Sequence, residues 1–177
     1  KYRIEAEGLP PFVLYKGEVS RYHIEEDKDL SMETYREILE EAVREGLQAV
    51  YNPESARGIT SSIVYGTREA EGAELFLYFV ADQPCMAGET IARFVSEFMK
   101  SKKGIGCVCA KGHRGSPNIF RRRYKKELLA LEGDQGGRQI MQKYPQEIWM
   151  MEVDERELKD IDQPADLTAL RLELENT

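Results

Sequence analysis

The sequence has few of the features that define several large classes of protein. Only three cysteines occur among its 177 residues, and three thiols cannot all pair within one chain. No apolar run approaches the ~20 residues that span a bilayer. Residues 1–8 alternate charged and apolar types, unlike a signal peptide. We therefore expect a cytoplasmic protein with reduced thiols and no membrane segment.

Positive charge is also in short supply. The 25 lysines and arginines are outnumbered by 32 aspartates and glutamates, which gives a formal net charge of −7. Nucleic-acid binding normally requires a positive surface that displaces counterions, so this class of function is disfavoured. An acidic protein can still bind an anionic nucleotide where it concentrates hydrogen-bond donors or holds a metal ion.

Apolar residues at helical spacing predict a series of helices along the chain. We expect them at residues 31–46, 60–70, 89–103, 121–131 and 136–144, and from about Pro164 onward. Ser31 and Gly46 are a plausible N-cap and stop for the first of them.

Short apolar runs between these helices predict strands at residues 47–51, 75–81, 105–110 and 148–153. The second run is apolar at every position, which is typical of a strand covered on both faces. Strands that alternate with helices imply right-handed crossovers, and so predict a three-layer α/β/α fold with a mainly parallel sheet. We expect residues 1–177 to form a single domain. Before Ser31, residues 12–15 and 22–24 are candidate strands.

Asp82, which follows the second apolar run, is the first candidate site residue. In open parallel sheets, ligands bind beyond the carboxyl ends of the strands. Mg²⁺ prefers one or two protein carboxylates there, with water and substrate phosphates. Alternatively, Asp82 only begins a turn at Asp82-Gln83-Pro84. Asp162 has a similar setting and is either a second metal ligand or an N-cap.

Glycine-containing segments that precede helices are the next candidates. Gly58-Ile59-Thr60-Ser61-Ser62 opens a helix whose free amides and hydroxyls suit a nucleotide. Gly133-Asp134-Gln135-Gly136-Gly137-Arg138 opens another helix, and Arg114-Gly115-Ser116-Pro117 follows a strand. Each segment alone is weak evidence, because glycine-rich turns before helices are usually only turns.

Other notable residues favour structural roles. The basic run at residues 121–126 is typical of a solvated helix face. Cys107 and Cys109 would point to one face of a strand, and buried apolar thiols explain them better than zinc. No Gly-x-Ser-x-Gly nucleophile elbow occurs, which disfavours a serine hydrolase.

The order of the motifs is more specific than any one of them. The series runs Asn52-Pro53, Gly58-x-x-Ser61-Ser62, Asp82-Gln83-Pro84, Arg114-Gly115-x-Pro117, Gly133-Asp134-x-Gly136-x-Arg138 and Asp160-Ile161-Asp162-x-Pro164. In this order they resemble the molybdenum-cofactor cytidylyltransferase family, with its MobA-like NTP transferase domain, over roughly residues 33–170. The resemblance implies a Rossmann-like, GT-A-like nucleotidyltransferase fold.

The resemblance also implies a reaction. Family members join CTP or GTP to the phosphate of molybdopterin and release pyrophosphate. The Arg-Gly-x-Pro and Gly-Asp-x-Gly-x-Arg elements are more similar to the cytidylyltransferase branch than to the guanylyltransferase branch. CTP and a molybdopterin-type cofactor are therefore the expected partners, Mg²⁺ is the expected cofactor, and a molybdoenzyme is an optional further partner.

The roles implied for individual residues fall into three groups. The catalytic metal ligands would be Asp82 and Asp162. The residues along the nucleotide would be Gly58, Ser61 and Ser62. The residues that shape the pterin side of the cleft would be Gly115, Pro117, Asp134 and Arg138.

The first residues, from 1 to about 30, depart from the family pattern. Family members open with a glycine-containing phosphate loop that carries an arginine and a lysine, and residues 4–11 do not match them. Either this loop lies outside the 177 residues, or the protein is shortened and inactive, or a partner completes the site. Two other functions stay open: a non-catalytic carrier of the molybdenum cofactor, and a nucleotidyltransferase for another acceptor such as a sugar phosphate.

Overall fold

Six strands and five α-helices are found in the described part of the chain. The structure is a computed structural model, and it describes residues 2–4, 12–14, 31–44, 46, 48, 50, 52–54, 57–80, 82–161 and 166. The strands are β1 (Tyr2–Ile4), β2 (Phe12–Leu14), β3 (Leu75–Tyr78), β4 (Ile105–Ala110), β5 (His113–Arg121) and β6 (Ile148–Glu152). The helices are α1 (Met32–Arg44), α2 (Ile59–Glu69), α3 (Gly88–Ser101), α4 (Lys125–Leu129) and α5 (Arg138–Lys143). Short 3-10 helices cover Arg122–Tyr124, Pro145–Glu147 and Glu155–Leu158.

A mixed sheet of four strands in the order β3-β5-β4-β6 organises the described residues. β5 is antiparallel to both β3 and β4, whereas β4 and β6 are parallel. Consequently β3, β4 and β6 point the same way and β5 alone is reversed. β1 and β2 form a separate antiparallel pair.

The two faces of this sheet are covered by two hydrophobic clusters. Alternate residues of β4 point to opposite faces, as the strand repeat of two requires. Cys107 joins a cluster with residues of α2, α4 and α5, and Val108 joins another with Phe94 and Phe98 of α3. Helices on both faces of a central sheet are the predicted three-layer α/β/α arrangement, and the fold class is confirmed.

Most predicted elements occur close to their expected positions. The first helix spans Met32–Arg44, and Ser31 Oγ accepts a hydrogen bond from Thr34 N at 3.0 Å, as a capping residue does. Of the strand predicted at 47–51, only residues 48 and 50 are described, and neither has strand conformation. The candidate strand at 22–24 lies outside the described residues, as does most of the last helix.

The strand β5 was not predicted. The helix expected at residues 121–131 is replaced by the end of β5, a 3-10 turn and the short α4. Gly115, Ser116 and Pro117 are typical of turns, and proline cannot donate to a strand ladder. Pro117 is accommodated because the β4–β5 register shifts between Cys107 and Cys109, opposite this segment. Among the described residues, no helix is both long and apolar enough to cross a bilayer.

Candidate functional site

A cavity of about 1280 Å³ opens where β3 ends and the turn between β4 and β5 begins. This is the carboxyl edge of the three strands that share a direction, where open α/β sheets bind ligands. Four of the predicted site residues line it, namely Ser62, Asp82, Gly115 and Arg138. They come from four separate segments of the chain.

Asp82 reaches the cavity because β3 ends at Tyr78 and the chain then turns before α3. Its carbonyl oxygen accepts a hydrogen bond from Ile161 N at 2.8 Å. The neighbouring Gln83 Nε2 donates to Asp160 Oδ1 at 2.9 Å. The segment that leads to Asp162 is therefore attached beside Asp82, although Asp162 itself lies outside the described residues.

The start of α2 presents the predicted nucleotide-side residues. Gly58 adopts a φ of 84°, a left-handed conformation that favours glycine. Ser61 Oγ donates to Gly58 O at 2.9 Å, so this buried hydroxyl stabilises the turn. Ser62 is exposed and lines the cavity. Asn52 Nδ2 lies 2.9 Å from Ser61 Oγ and 3.1 Å from Ser62 Oγ and donates to both hydroxyls.

Of the four residues predicted for the acceptor side, two line the cavity and two do not. Gly115 lines the cavity and packs against Leu158, which leaves no room for a side chain. Pro117 is fully buried, and its neighbours Ser116 and Asn118 are the ones that line the cavity. Arg138 begins α5 and lines the cavity. Asp134 lies instead against the start of α2, where its Oδ1 accepts from Ile59 N at 3.2 Å.

Several lining residues had no individual role predicted from the sequence. They are His113, which lies in no motif, and Gln83, Arg114 and Asp160, which belong to motifs whose neighbouring residues were the predicted ones. Arg114 lies on β5, a strand that was not predicted. Neither Arg114 nor Arg138 takes part in an ion pair among the described residues. Two cationic groups are thus available at the same cavity as the carboxylates of Asp82 and Asp160.

The cavity wall also holds a phenol that stays protonated. Tyr78 lies in β3, and its hydroxyl is 2.6 Å from Thr67 Oγ1 of α2. Burial raises the pKa of Tyr78 above its ordinary value, while the hydrogen bond to Thr67 lowers it less. A neutral phenol in this position ties α2 to β3 and is not available as a base at neutral pH.

The described residues alone hold no cluster of three or more histidine, cysteine, aspartate or glutamate side chains able to bind a metal ion. Mg²⁺ does not need such a cluster, because it keeps several waters and takes substrate phosphate oxygens beside one or two carboxylates. The oxygen donors at the end of β3 fit a hard divalent cation of this kind. They are unsuited to zinc in a closed structural site, which requires four protein ligands.

Comparison with known proteins gives one family match. The model of the MobA-like NTP transferase domain matches residues 30–148, a range that includes Ser62, Asp82, Gly115 and Arg138. A comparison with curated proteins gives no match.

Solved structures with the same fold include three from bacteria. A 4-diphosphocytidyl-2C-methyl-D-erythritol synthase from Anaerococcus prevotii DSM 20548 aligns with a TM-score of 0.62 and 13% identity, covering 79% of this chain and 74% of that one. A homologue of Mycobacterium tuberculosis Rv0371c, from Mycobacterium sp. strain JC1, aligns with a TM-score of 0.58 and 17% identity. The alignment covers 78% of this chain and 71% of the homologue. The manganese complex of Rv0371c from M. tuberculosis H37Rv aligns with a TM-score of 0.51 and 24% identity. The alignment covers 62% of this chain and 59% of Rv0371c.

Proposed function

The chain belongs to the MobA-like NTP transferase domain family, and from this premise we propose that it transfers the cytidylyl group of CTP to the phosphate of a molybdopterin-type cofactor. The domain is a nucleotidyltransferase domain, and CTP and the molybdopterin acceptor are the proposed specifics. The observation that carries the proposal is the convergence of Ser62, Asp82, Gly115 and Arg138 on one cavity.

The reaction requires positioning and charge neutralisation more than covalent help from the protein. An oxygen of the acceptor phosphate attacks the α-phosphorus of CTP, a new P–O bond forms, and the bond to the bridging oxygen breaks. Pyrophosphate leaves with that oxygen. Because the acceptor phosphate is already a dianion, no base has to remove a proton from the attacking oxygen. Arg114 and Arg138 supply positive charge at the cavity, and Ser62 offers a hydroxyl to the nucleotide.

A divalent cation, Mg²⁺ in this proposal, would be held by Asp82 and by Asp162. When bound, it neutralises the charge that develops on the phosphates of the nucleotide. The manganese complex of the structurally similar Rv0371c supports the choice of a divalent cation. In support, Asp82 lines the cavity after the end of β3, and Ile161, which precedes Asp162, donates a hydrogen bond from its N to the carbonyl oxygen of Asp82.

The decisive experiment measures pyrophosphate release by the purified protein with Mg²⁺, CTP and a molybdopterin-type acceptor. We expect turnover with CTP, and substitution Asp82→Ala should lower kcat/KM at least ~100-fold because a metal ligand is lost. Glu97→Ala, which removes an exposed carboxylate of α3 away from the cavity, is the matched control and should leave the rate unchanged.

Other results would point to different functions. Binding of the cofactor without pyrophosphate release would indicate a carrier protein. Turnover with CTP but only with a sugar phosphate or another phosphorylated acceptor would keep the cytidylyl transfer and change the acceptor. The name of the A. prevotii synthase, which contains a diphosphocytidyl group on a different acceptor, makes this acceptor test worthwhile.

A further inference from the structure

Two loops that border the cavity are joined to each other by a pair of hydrogen bonds, which we call the loop latch. Asp134 Oδ1 accepts from Ile59 N at 3.2 Å, and Thr60 Oγ1 accepts from Gly136 N at 3.0 Å. Thr60 is buried, so its bond is shielded from solvent. The latch therefore connects the start of α2, which carries Ser62, to the loop that leads to Arg138.

Close approach of the two backbones depends on Gly58. A Cβ atom built at Gly58 would lie 1.7 Å from Asp134 Oδ1, so the carboxylate occupies the space that a side chain would need. Gly58 also has a positive φ, a conformation that favours glycine. Gly58, from the motif predicted for the nucleotide side, and Asp134, from the motif predicted for the acceptor side, therefore pack directly against each other.

The latch also supplies the side-chain cap that the N-terminus of α2 lacks. No side chain at Gly58 caps the helix, and Asp134 provides the acceptor instead from 75 residues along the chain. A carboxylate at a helix N-terminus satisfies a free amide and interacts favourably with the helix dipole. This contact caps the first turn of α2, which carries Ser62 at the cavity.

We propose that Asp134 is a positioning residue for the nucleotide, acting through the Ile59 amide, and is not a direct contact of the acceptor. The inference rests on the proposed function, because it takes the start of α2 as part of the nucleotide site. Because the carboxylate already occupies the helix end, phosphate groups are repelled from it. The start of α2 therefore faces the uncharged sugar and base of the nucleotide.

The test compares Asp134→Ala with Asp134→Asn and measures nucleotide and acceptor kinetics separately. Loss of one hydrogen bond to a charged group corresponds to about a tenfold change, so Asp134→Ala should raise KM for CTP about tenfold. The kcat, the KM for the acceptor and the inhibition constant of pyrophosphate should stay within about twofold. Asp134→Asn keeps an oxygen that accepts from Ile59 N and should recover most of the CTP affinity.

Glu132→Ala is the matched control, since it removes an exposed carboxylate of the same loop that takes no part in the loop latch. It should behave like the original protein. A rise in the acceptor KM with an unchanged CTP KM in Asp134→Ala would overturn the proposal and make Asp134 an acceptor contact. Equal losses for both substrates in the alanine and asparagine variants would also overturn it.

A second measurement does not depend on turnover. Amide hydrogen exchange at Ile59, followed by NMR without substrates, should be accelerated about tenfold in Asp134→Ala and little changed in Asp134→Asn. If the protein does not transfer nucleotides but Ile59 exchange responds in this way, the proposed function fails and the latch stands. Unchanged Ile59 exchange in the alanine variant would disprove the latch itself.

Discussion

The thiols of Cys107 and Cys109 lie inside the central strand β4 and are buried from solvent. Burial raises the pKa of Cys107 to about 11, partly opposed by the nearby Arg114. Burial likewise raises the pKa of Cys109 to about 11, and its hydrogen bond to Glu152, with Sγ to Oε2 at 3.0 Å, adds to the shift. Since the thiolate is the reactive form, both cysteines are inert near neutral pH.

This chemistry predicts the pattern of alkylation. Iodoacetamide at pH 8 should modify one thiol quickly, because Cys85 is only partly buried. Three should react after denaturation, and intact mass spectrometry counts them. Cys85→Ser should abolish the fast reaction in the folded protein. Rapid modification of three thiols without denaturant would show that β4 is accessible and would contradict the buried environment.

At the scale of the elements, contact between α3 and the sheet depends on Gly106. A Cβ atom at this position would lie 2.7 Å from Ile119 Cγ2 and 2.8 Å from Phe98 Cδ2. Ile119 and Phe98 are both fully buried, so neither can move aside easily. The missing side chain of Gly106 thus lets the aromatic face of α3 lie directly on β4.

Two glycine substitutions should therefore have opposite effects on stability. Gly106→Ala should lower the free energy of unfolding by about 1–3 kcal/mol through overpacking. Gly66→Ala, within α2 and with no atom within 4 Å of the new Cβ, should raise it by about 1 kcal/mol. Urea denaturation followed by fluorescence of Trp149 measures both. A stable Gly106→Ala protein would mean that α3 packs less tightly than described.

The elements that the sequence predicted well are those with a strong local pattern. β4 was predicted with its observed bounds because six apolar or small residues follow a glycine stop. β5 was missed because its strand conformation comes from pairing with β3 and β4, not from its own residues. At the candidate site, Asp82 and Ser62 were predicted from their local settings, and both line the cavity. The contact of Asp134 with Ile59 joins distant segments, and no local pattern encodes it.

At the scale of the whole molecule, the net charge of −7 opposes the approach of a nucleoside triphosphate. The cavity offsets this with Arg114 and Arg138, but it also contains Asp82 and Asp160. Neutralisation by a divalent cation is therefore expected to be essential for binding. That residues 1–177 form a single domain stays a prediction, and the family match covers residues 30–148.

The balance of charge predicts how nucleotide binding responds to metal removal. Calorimetric titration with CTP should show at least ~10-fold weaker binding in EDTA than in Mg²⁺, a difference of ~1.4 kcal/mol or more. Cytidine has no phosphates and serves as the control, since its weak binding should be the same in both conditions. Equal affinity for CTP with and without the cation would show that the arginines suffice.

The β4–β5 hairpin is the most local strand pair of the four-stranded sheet. Its turn consists of Lys111 and Gly112, both at positive φ, so forming this pair closes a very short loop. β3 and β6 must instead find distant partners, since Leu75 pairs with Arg121 and Ile105 with Ile148. Ordering long loops is entropically costly and slow. We therefore expect a newly synthesised chain to acquire its hairpin early, and the cavity to take shape only when β3 brings Asp82 to those strands.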